Sequence, residues 1–377
     1  DIAFSRQCLI RLRDMNKTIL IVVGITCAVI TAVGIMEIRW RNNPVDENTV
    51  LFPISKDNLM GYIDKTGRII IKPQFGNIGP FYDGMARIII GGKYGYIDKT
   101  GKIVIQPQFD SAWWFSEGLA VVGNMGKERM DYAYIIDKTG KVVIKSDKNM
   151  WFAPLGFHEG LATVYDRDDD KQGYINKEGK IVINPQFDGS FGFSEGLCAV
   201  NTGSKNKGEC GFIDKNGDFV IAQQFDSARG FSEGLAAVQI DDKWGFIDKT
   251  GKIVIKPQFD DVNITHGFSE GLAGVKIGDK WGFIDKTGKI VIKPQFEEGM
   301  FHSAAFSEGL CVVKIKDQYG YIDKTGKIVI KPQFTMAGHF TEGIADVCLG
   351  SSNIFDTDNI KFGYIDKIGK YIWEPTK

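Results

Sequence analysis

Hydrophobic and polar residues follow two different patterns along this chain. Between Thr18 and Met36 nineteen consecutive residues, TILIVVGITCAVITAVGIM, carry no charge. At 1.5 Å per residue such a run covers roughly 30 Å of hydrocarbon. A buried soluble helix would show a polar position every third or fourth residue, whereas this stretch has only Thr18, Thr26 and Thr31. The pattern predicts a transmembrane helix over residues 18–36. It exceeds the roughly 7 to 15 apolar residues of a signal-peptide core, which favours an uncleaved signal anchor, with cleavage near Ala32 and Gly34 as the alternative. Arg6, Arg11, Arg13 and Lys17 before the run outnumber Arg39 and Arg41 after it, so residues 1–17 are expected on the cytoplasmic side and the remainder outside. Residues 37–48 read as a polar linker.

From residue 49 onwards short apolar stretches alternate with turn signals, and the alternation repeats. The phrase G-[YF]-I-[DN]-K begins at Gly61, Gly95, Gly173, Gly211, Gly245, Gly282, Gly320 and Gly363, with a degenerate ninth copy at Tyr134. Successive copies start 34 to 43 residues apart, the spacing of one supersecondary unit per repeat. Residues 49–377 therefore read as one array rather than several domains.

In the clearest unit, FSEGLAAVQIDDKWGFIDKTGKIVIKPQF from Phe231 to Phe259, three strands are predicted: Leu235 to Ile240, Lys243 to Ile247 and Lys252 to Ile255. The unit reads as an antiparallel meander, with Pro257-Gln258-Phe259 as a short fourth strand at an edge, where proline is tolerated. Asp248-Lys249-Thr250-Gly251 predicts a tight turn in which the aspartate bonds backbone amides and the glycine takes positive φ. That turn glycine occurs in all nine copies, Gly101, Gly251, Gly288 and Gly326 among them. The phrase F-x-[DE]-G occurs eight times; its phenylalanine is expected in the core, and its glycine to permit close backbone approach. Trp244 and Trp281 precede the strand glycine, where other copies have Tyr94, Cys210 or Tyr319.

These residues carry a resemblance. Lys243-Trp244-Gly245-Phe246-Ile247-Asp248 and Lys280-Trp281-Gly282-Phe283-Ile284-Asp285, flanked by PQF and FSEGLA, resemble the WG-repeat (KWG-repeat) family over about residues 59–377. The resemblance implies a bacterial-type tandem β-repeat protein, usually without an assigned activity. The third copy departs furthest: Tyr134 replaces the glycine and Ser146-Asp147-Lys148 replaces PQF. The expected fold is all-β, nine meanders of about 34–43 residues in a propeller-like ring. An open β-solenoid is the alternative, because nine exceeds the roughly 4 to 8 blades usual in a ring.

Composition narrows the chemistry. Glycine is plentiful, 45 of 377 residues, but 43% hydrophobic residues and only 11 prolines exclude collagen and a disordered chain. A net charge of −1 removes the global basic excess that would drive nucleic-acid binding, and none is expected. Six cysteines without a CxxC pair give no zinc or thioredoxin signature. Cys198 and Cys311 stand where other copies have alanine and read as small buried side chains. The histidines, His158, His266, His302 and His339, fall singly in different repeats, and no nucleophile elbow, HExxH or phosphate loop is present. No enzyme activity, metal or cofactor is expected. Asp166 and Asp168-Asp169-Asp170 read as a solvated hairpin tip.

Two features suggest binding. The acids of F-x-[DE]-G, including Glu117, Glu195, Glu233, Glu270 and Glu308, form a regular row if the units are symmetric. They either attract a cationic partner or bond backbone amides at their own turns. Trp113-Trp114 and Trp151 stand in the variable loops before FSEG. Adjacent tryptophans point to opposite faces of a strand, so one of the pair is expected at the surface. The sequence thus reads as a noncatalytic, membrane-anchored, extracytoplasmic module that binds a protein, peptide or cell-envelope polymer. A spacer without a dedicated ligand is the alternative, and a carbohydrate-active enzyme the weakest reading.

Overall fold

The computed structural model of the chain describes residues 46–125, 130–146, 149–203, 209–263, 267–297, 305–350 and 360–376. The transmembrane segment expected at residues 18–36 lies outside them. Among the described residues no helix is long and apolar enough to cross a membrane. Residues 46–49 form a turn, with the Thr49 amide donating to the Asp46 carbonyl at 2.8 Å. Val50 onwards is a separate compact unit built of strands.

Its described residues form nine antiparallel sheets, each made from one contiguous stretch of chain: residues 52–75, 78–109, 111–145, 150–187, 189–225, 227–259, 261–296, 306–334 and 336–376. They are the nine blades of a β-propeller, numbered here in chain order. Blade 6 shows the pattern, with Ser227–Ser232, Leu235–Ile240, Lys243–Asp248 and Ile253–Phe259 hydrogen-bonded in that order. The three-stranded reading of the unit is therefore corrected. The additional strand comes before FSEG, and PQF is the tail of the last strand rather than a strand of its own.

Turn chemistry sets the sheet. Glu233 and Gly234 have φ of 51° and 86°, the two positive values of a type I′ hairpin, so Ser232 faces Leu235 across a two-residue loop. Nothing lies within 4 Å of a Cβ added to Gly234, so the glycine of F-x-[DE]-G serves backbone conformation and not the expected close approach. In the third turn Asp248 Oδ1 accepts from the Thr250 amide at 2.9 Å, the Thr250 hydroxyl at 2.6 Å and the Lys252 amide at 3.1 Å. The Gly251 amide closes that turn on the Asp248 carbonyl.

The close approach occurs at the glycine after the tryptophan. A Cβ on Gly245 would sit 2.5 Å from the Ile255 carbonyl oxygen and 2.6 Å from the Pro257 nitrogen, because the tail of the fourth strand folds across the third at that point. Pairing shifts there, from Phe246 opposite Ile255 to Trp244 opposite Phe259. Blade 3 explains its own exception. Where Tyr134 replaces the glycine, the last strand ends at Lys145 and pairs with Tyr134 in plain register. The copy that lost the glycine also lost the PQF segment that required it.

Blades pack face to face. Phe246 of blade 6 meets Phe268 of blade 7 edge-on at 5.0 Å between ring centres, and Phe212 meets Phe231 at the same separation, tilted, one blade earlier. Phe231 and Phe268 are almost fully buried, as expected for this phenylalanine. Burying a phenylalanine contributes about 1.5–3 kcal/mol, so the repeated ring contact is a main source of cohesion. Where the third strand carries tyrosine, its hydroxyl donates to a carbonyl of the following blade: Tyr96 to Trp113 at 2.6 Å, Tyr174 to Phe191 at 2.6 Å and Tyr321 to Gly338 at 2.8 Å. The serine of FSEG does likewise, Ser232 to the Phe268 carbonyl at 2.6 Å and Ser269 to that of Phe306 at 2.7 Å.

The same contacts join blade 9 to blade 1. Phe52 and Tyr364 have ring centres 5.6 Å apart, and Phe52, Ile54 and Ile63 share a core with Ile344 and Tyr364. The ring is closed, and the open solenoid is excluded. Blade 1 has three strands, beginning with Phe52–Lys56. On the edge where other blades carry their first strand, Pro53 has no N–H to leave unpaired. The Pro53 carbonyl accepts from the Tyr364 hydroxyl at 2.8 Å and the Ser55 carbonyl from the Thr376 hydroxyl at 2.5 Å. Side chains of the last blade thus satisfy an edge that is otherwise a template for another strand.

Candidate binding surface

In blades 2 to 9 the first-to-second and third-to-fourth turns lie at one end of the sheet, so the SEG and DKTG turns share one face of the ring. On that face the carboxylate of each F-x-[DE]-G reaches the following blade. Glu233 accepts from the Gly271 amide at 3.1 Å and pairs with Lys286 at 3.0 Å, and both partners belong to blade 7. The Lys286 ammonium also donates to the Glu233 carbonyl at 3.0 Å. Equivalent ion pairs link Asp83 to Lys138, Glu117 to Lys177, Glu159 to Lys215, Glu195 to Lys249, Glu270 to Lys324, Glu308 to Lys367, and Glu342 of blade 9 to Lys65 of blade 1.

The acids therefore do form a ring, but they bond the next blade's turn and not their own. Glu117, Glu195, Glu233, Glu270 and Glu308 each sit with side chains about one-third exposed, clasped to a lysine. Partial burial opposes ionisation of Glu117, Glu159 and Glu270. Bonds from Lys177, Lys215 and Lys324 and from the Gly160, Gly196 and Gly309 amides outweigh it and hold these carboxyls below their ordinary value.

The tryptophans part company. Trp113 packs against the core of Leu119, Val121, Phe152 and Phe157, and its amide donates to the Val121 carbonyl at 2.9 Å. Trp114 points the other way, is 39% exposed, and lies 5.5 Å from the ring of Tyr82 in blade 2, which is 46% exposed. Tyr82 occupies the position of the FSEG serine, and Pro80 beside it is exposed. In blades 4 to 7 the residue matching Trp114 is Gly156, Gly192, Gly230 or Gly267. The aromatic patch is thus peculiar to blades 2 and 3 and stands on the face of the carboxylate ring. Sequence reading missed Tyr82, although a tyrosine in the serine slot of FSEG was visible.

Trp151 is elsewhere. It pairs with Tyr165 near the opposite end of its sheet, half-buried, with the Arg167 guanidinium 4.5 Å from its ring centre. The structure does not bring it together with Trp114. Trp244 and Trp281 are buried in the blade cores. The Arg229 guanidinium lies 4.9 Å from the Trp244 ring and 5.7 Å from that of Phe191 in the preceding blade. Gly101, Gly251, Gly288 and Gly326 all have positive φ, and a Cβ on each would press on an isoleucine of the previous blade, as Gly251 on Ile221. Cys198 and Cys311 are fully buried, and burial pushes the Cys198 thiol up to about 11, so it is inert at neutral pH. His158 is exposed on the turn face, while His266 and His302 lie outside the described residues. Asp166–Asp170 forms a hairpin tip, and no group of three or more metal-ligating side chains occurs among the described residues.

Comparison with known proteins gives the family. The WG containing repeat matches residues 60–94, 94–127, 173–205, 211–244, 244–281, 281–319 and 319–351, more than half of the chain. This chain belongs to the WG-repeat family. The divergent blade 3 tail and the end of blade 9 fall outside the matched segments. No curated protein matches the sequence. Among solved structures, a eukaryotic initiation factor superposes with a TM-score of 0.61 at 12% identity, over 87% of this chain and 96% of that one. BamB from Moraxella catarrhalis gives 0.48 at 11% identity, over 84% and 99%. At these identities the likeness is one of fold alone.

Proposed function

We propose that this WG-repeat propeller is a noncatalytic scaffold that binds a protein or peptide on its turn face through Tyr82 and Trp114. The observation that carries the reading is the exposed ring pair itself. Two large aromatic side chains stand together where blades 5 to 7 have glycine and serine, and each is available to stack on a partner at low conformational cost. The fold supports the scaffold role. Clasped carboxylates and buried phenylalanines hold the face rigid, so the patch is presented and not assembled on binding. The acids of the ring serve cohesion in this reading, each compensated by its lysine.

The sequence supports a location for this module. The uncharged run from Thr18 to Met36, with more basic residues before it than after, fits a single membrane anchor with the propeller outside the cytoplasm, facing envelope proteins or polymers. Affinity capture from envelope extracts tests the reading, with the wild-type chain compared against Tyr82→Ala/Trp114→Ala. A species retained by the first and lost from the second supports it. A species retained equally by both would reject the patch, and retention of nothing would favour a spacer role.

A further inference from the structure

The fourth strand is the trailing edge strand of its blade, and in blades 6, 7 and 8 two adjacent residues of it stay open to solvent. In blades 6, 7 and 8 the same seven residues recur, IVIKPQF, preceded by lysine. The pairs Ile253-Val254, Ile290-Val291 and Ile328-Val329 are each 41% to 44% exposed. They are bracketed by Lys252 and Lys256, Lys289 and Lys293, and Lys327 and Lys331, all exposed. None of these six ammonium groups has an ion pair or hydrogen bond among the described residues, in contrast to Lys249, Lys286 and Lys324 of the same turns, which are clasped to acids. Asp248, Asp285 and Asp323 attract Lys252, Lys289 and Lys327 through space without pairing with them, and in each the Oδ1 accepts from threonine and backbone donors.

The patch has limits, which repetition alone does not explain. Blade 5 has Asp218 and Ala222 at the two lysine positions, and blade 9 has Lys370 and Glu374. Doubly basic rims are thus contiguous only from blade 6 to blade 8. Strand addition does not suit this edge, because the register shift and Pro257, Pro294 and Pro332 interrupt each rim strand. A flat surface does not suit it either: nine blades divide the circle into steps of about 40°, so three blades turn through about 80°.

We infer that the rim of blades 6 to 8 binds an extended, acidic polypeptide segment that carries aliphatic side chains. The acids meet the six lysines, the aliphatic groups cover the exposed isoleucine and valine pairs, and a flexible chain follows the convex arc. This surface is distinct from the aromatic patch on the turn face and does not depend on it.

The test uses the full chain and a labelled synthetic peptide of twenty residues in which glutamate and isoleucine are separated by serine and glycine. Fluorescence anisotropy measures binding. Replacing all six lysines by glutamine is expected to weaken binding at least tenfold and to flatten its salt dependence. Lys102→Gln/Lys141→Gln/Lys180→Gln, on the rims of blades 2 to 4, is expected to change it less than twofold. Ile253→Thr/Ile290→Thr/Ile328→Thr is expected to weaken the peptide but not polyglutamate. If the sixfold variant unfolds, Lys289→Gln/Lys293→Gln alone must still give a severalfold loss. Equal losses in both lysine sets, equal binding of polyglutamate, or preference for anionic vesicles over the peptide would each overturn the proposal.

Discussion

The Lys65 ammonium of the first blade lies 2.9 Å from the Glu342 carboxylate of the last, 277 residues further along the chain. The pair is the same device that joins Glu233 to Lys286 and the successive blades from 2 to 9, so closure uses no special latch. Exposed ion pairs contribute about 0–1 kcal/mol each. Glu233→Gln is therefore expected to lower stability by no more than about 1 kcal/mol in urea unfolding. A loss of several kcal/mol would show the clasp to be a keystone rather than one of a set.

Two glycines of one blade should behave differently. Gly245→Ala places a Cβ against the Ile255 carbonyl and the Pro257 backbone, which cannot move without displacing the strand crossing, and should cost about 3 kcal/mol or more. Gly234→Ala meets open space and suffers only the strain of positive φ, about 1–2 kcal/mol. Denaturant midpoints of the two variants check the ranking.

Tyr321 is fully buried, and its hydroxyl donates to the Gly338 carbonyl at 2.8 Å. Blades 5, 6 and 7 manage with Phe212, Phe246 and Phe283 at that position. Tyr321→Phe keeps the ring contact with Phe340 and removes only the bond, so a loss of about 1 kcal/mol is expected. Tyr321→Ala, which also empties the interface, should cost about 3–5 kcal/mol.

Acid should loosen the ring. Glu117, Glu159 and Glu270 are held below their ordinary value of 4.5 in the folded protein. A carboxyl depressed by folding contributes stability above its unfolded value and loses it as pH falls through its folded value. The turn aspartates Asp137, Asp248, Asp285 and Asp323 are lowered as well, first by their threonine hydroxyls. Thermal unfolding between pH 7 and pH 3 should show a plateau down to about pH 5 and a decline below it. A decline already under way between pH 7 and pH 6 would point to other groups.

Much of this was legible in the sequence because it is local. The DKTG turn declares itself through an aspartate that accepts several donors and a glycine at positive φ, and Cys210 falls opposite Asn201 as the register required. The strand before FSEG was not legible, since its residues differ from blade to blade, Gly79-Pro80 in one and Trp113-Trp114 in the next, and leave no constant alternation. The acids were recognisable, but their partners were not. A carboxylate two residues from its own turn amides has a local solution available, and only the packing of one blade on the next brings the neighbouring lysine nearer. The coupling of Tyr134 to the missing PQF was present as two separate oddities and became one once Gly245 was seen beneath Pro257.

Zero-length carbodiimide coupling of the native protein, read by peptide mass spectrometry, tests the closed ring most directly. It joins amines only to carboxylates in contact. The closed propeller predicts a Lys65–Glu342 linkage as frequent as Lys286–Glu233 and independent of protein concentration. Recovery of the internal linkages without Lys65–Glu342, or its appearance only at high concentration, would contradict closure.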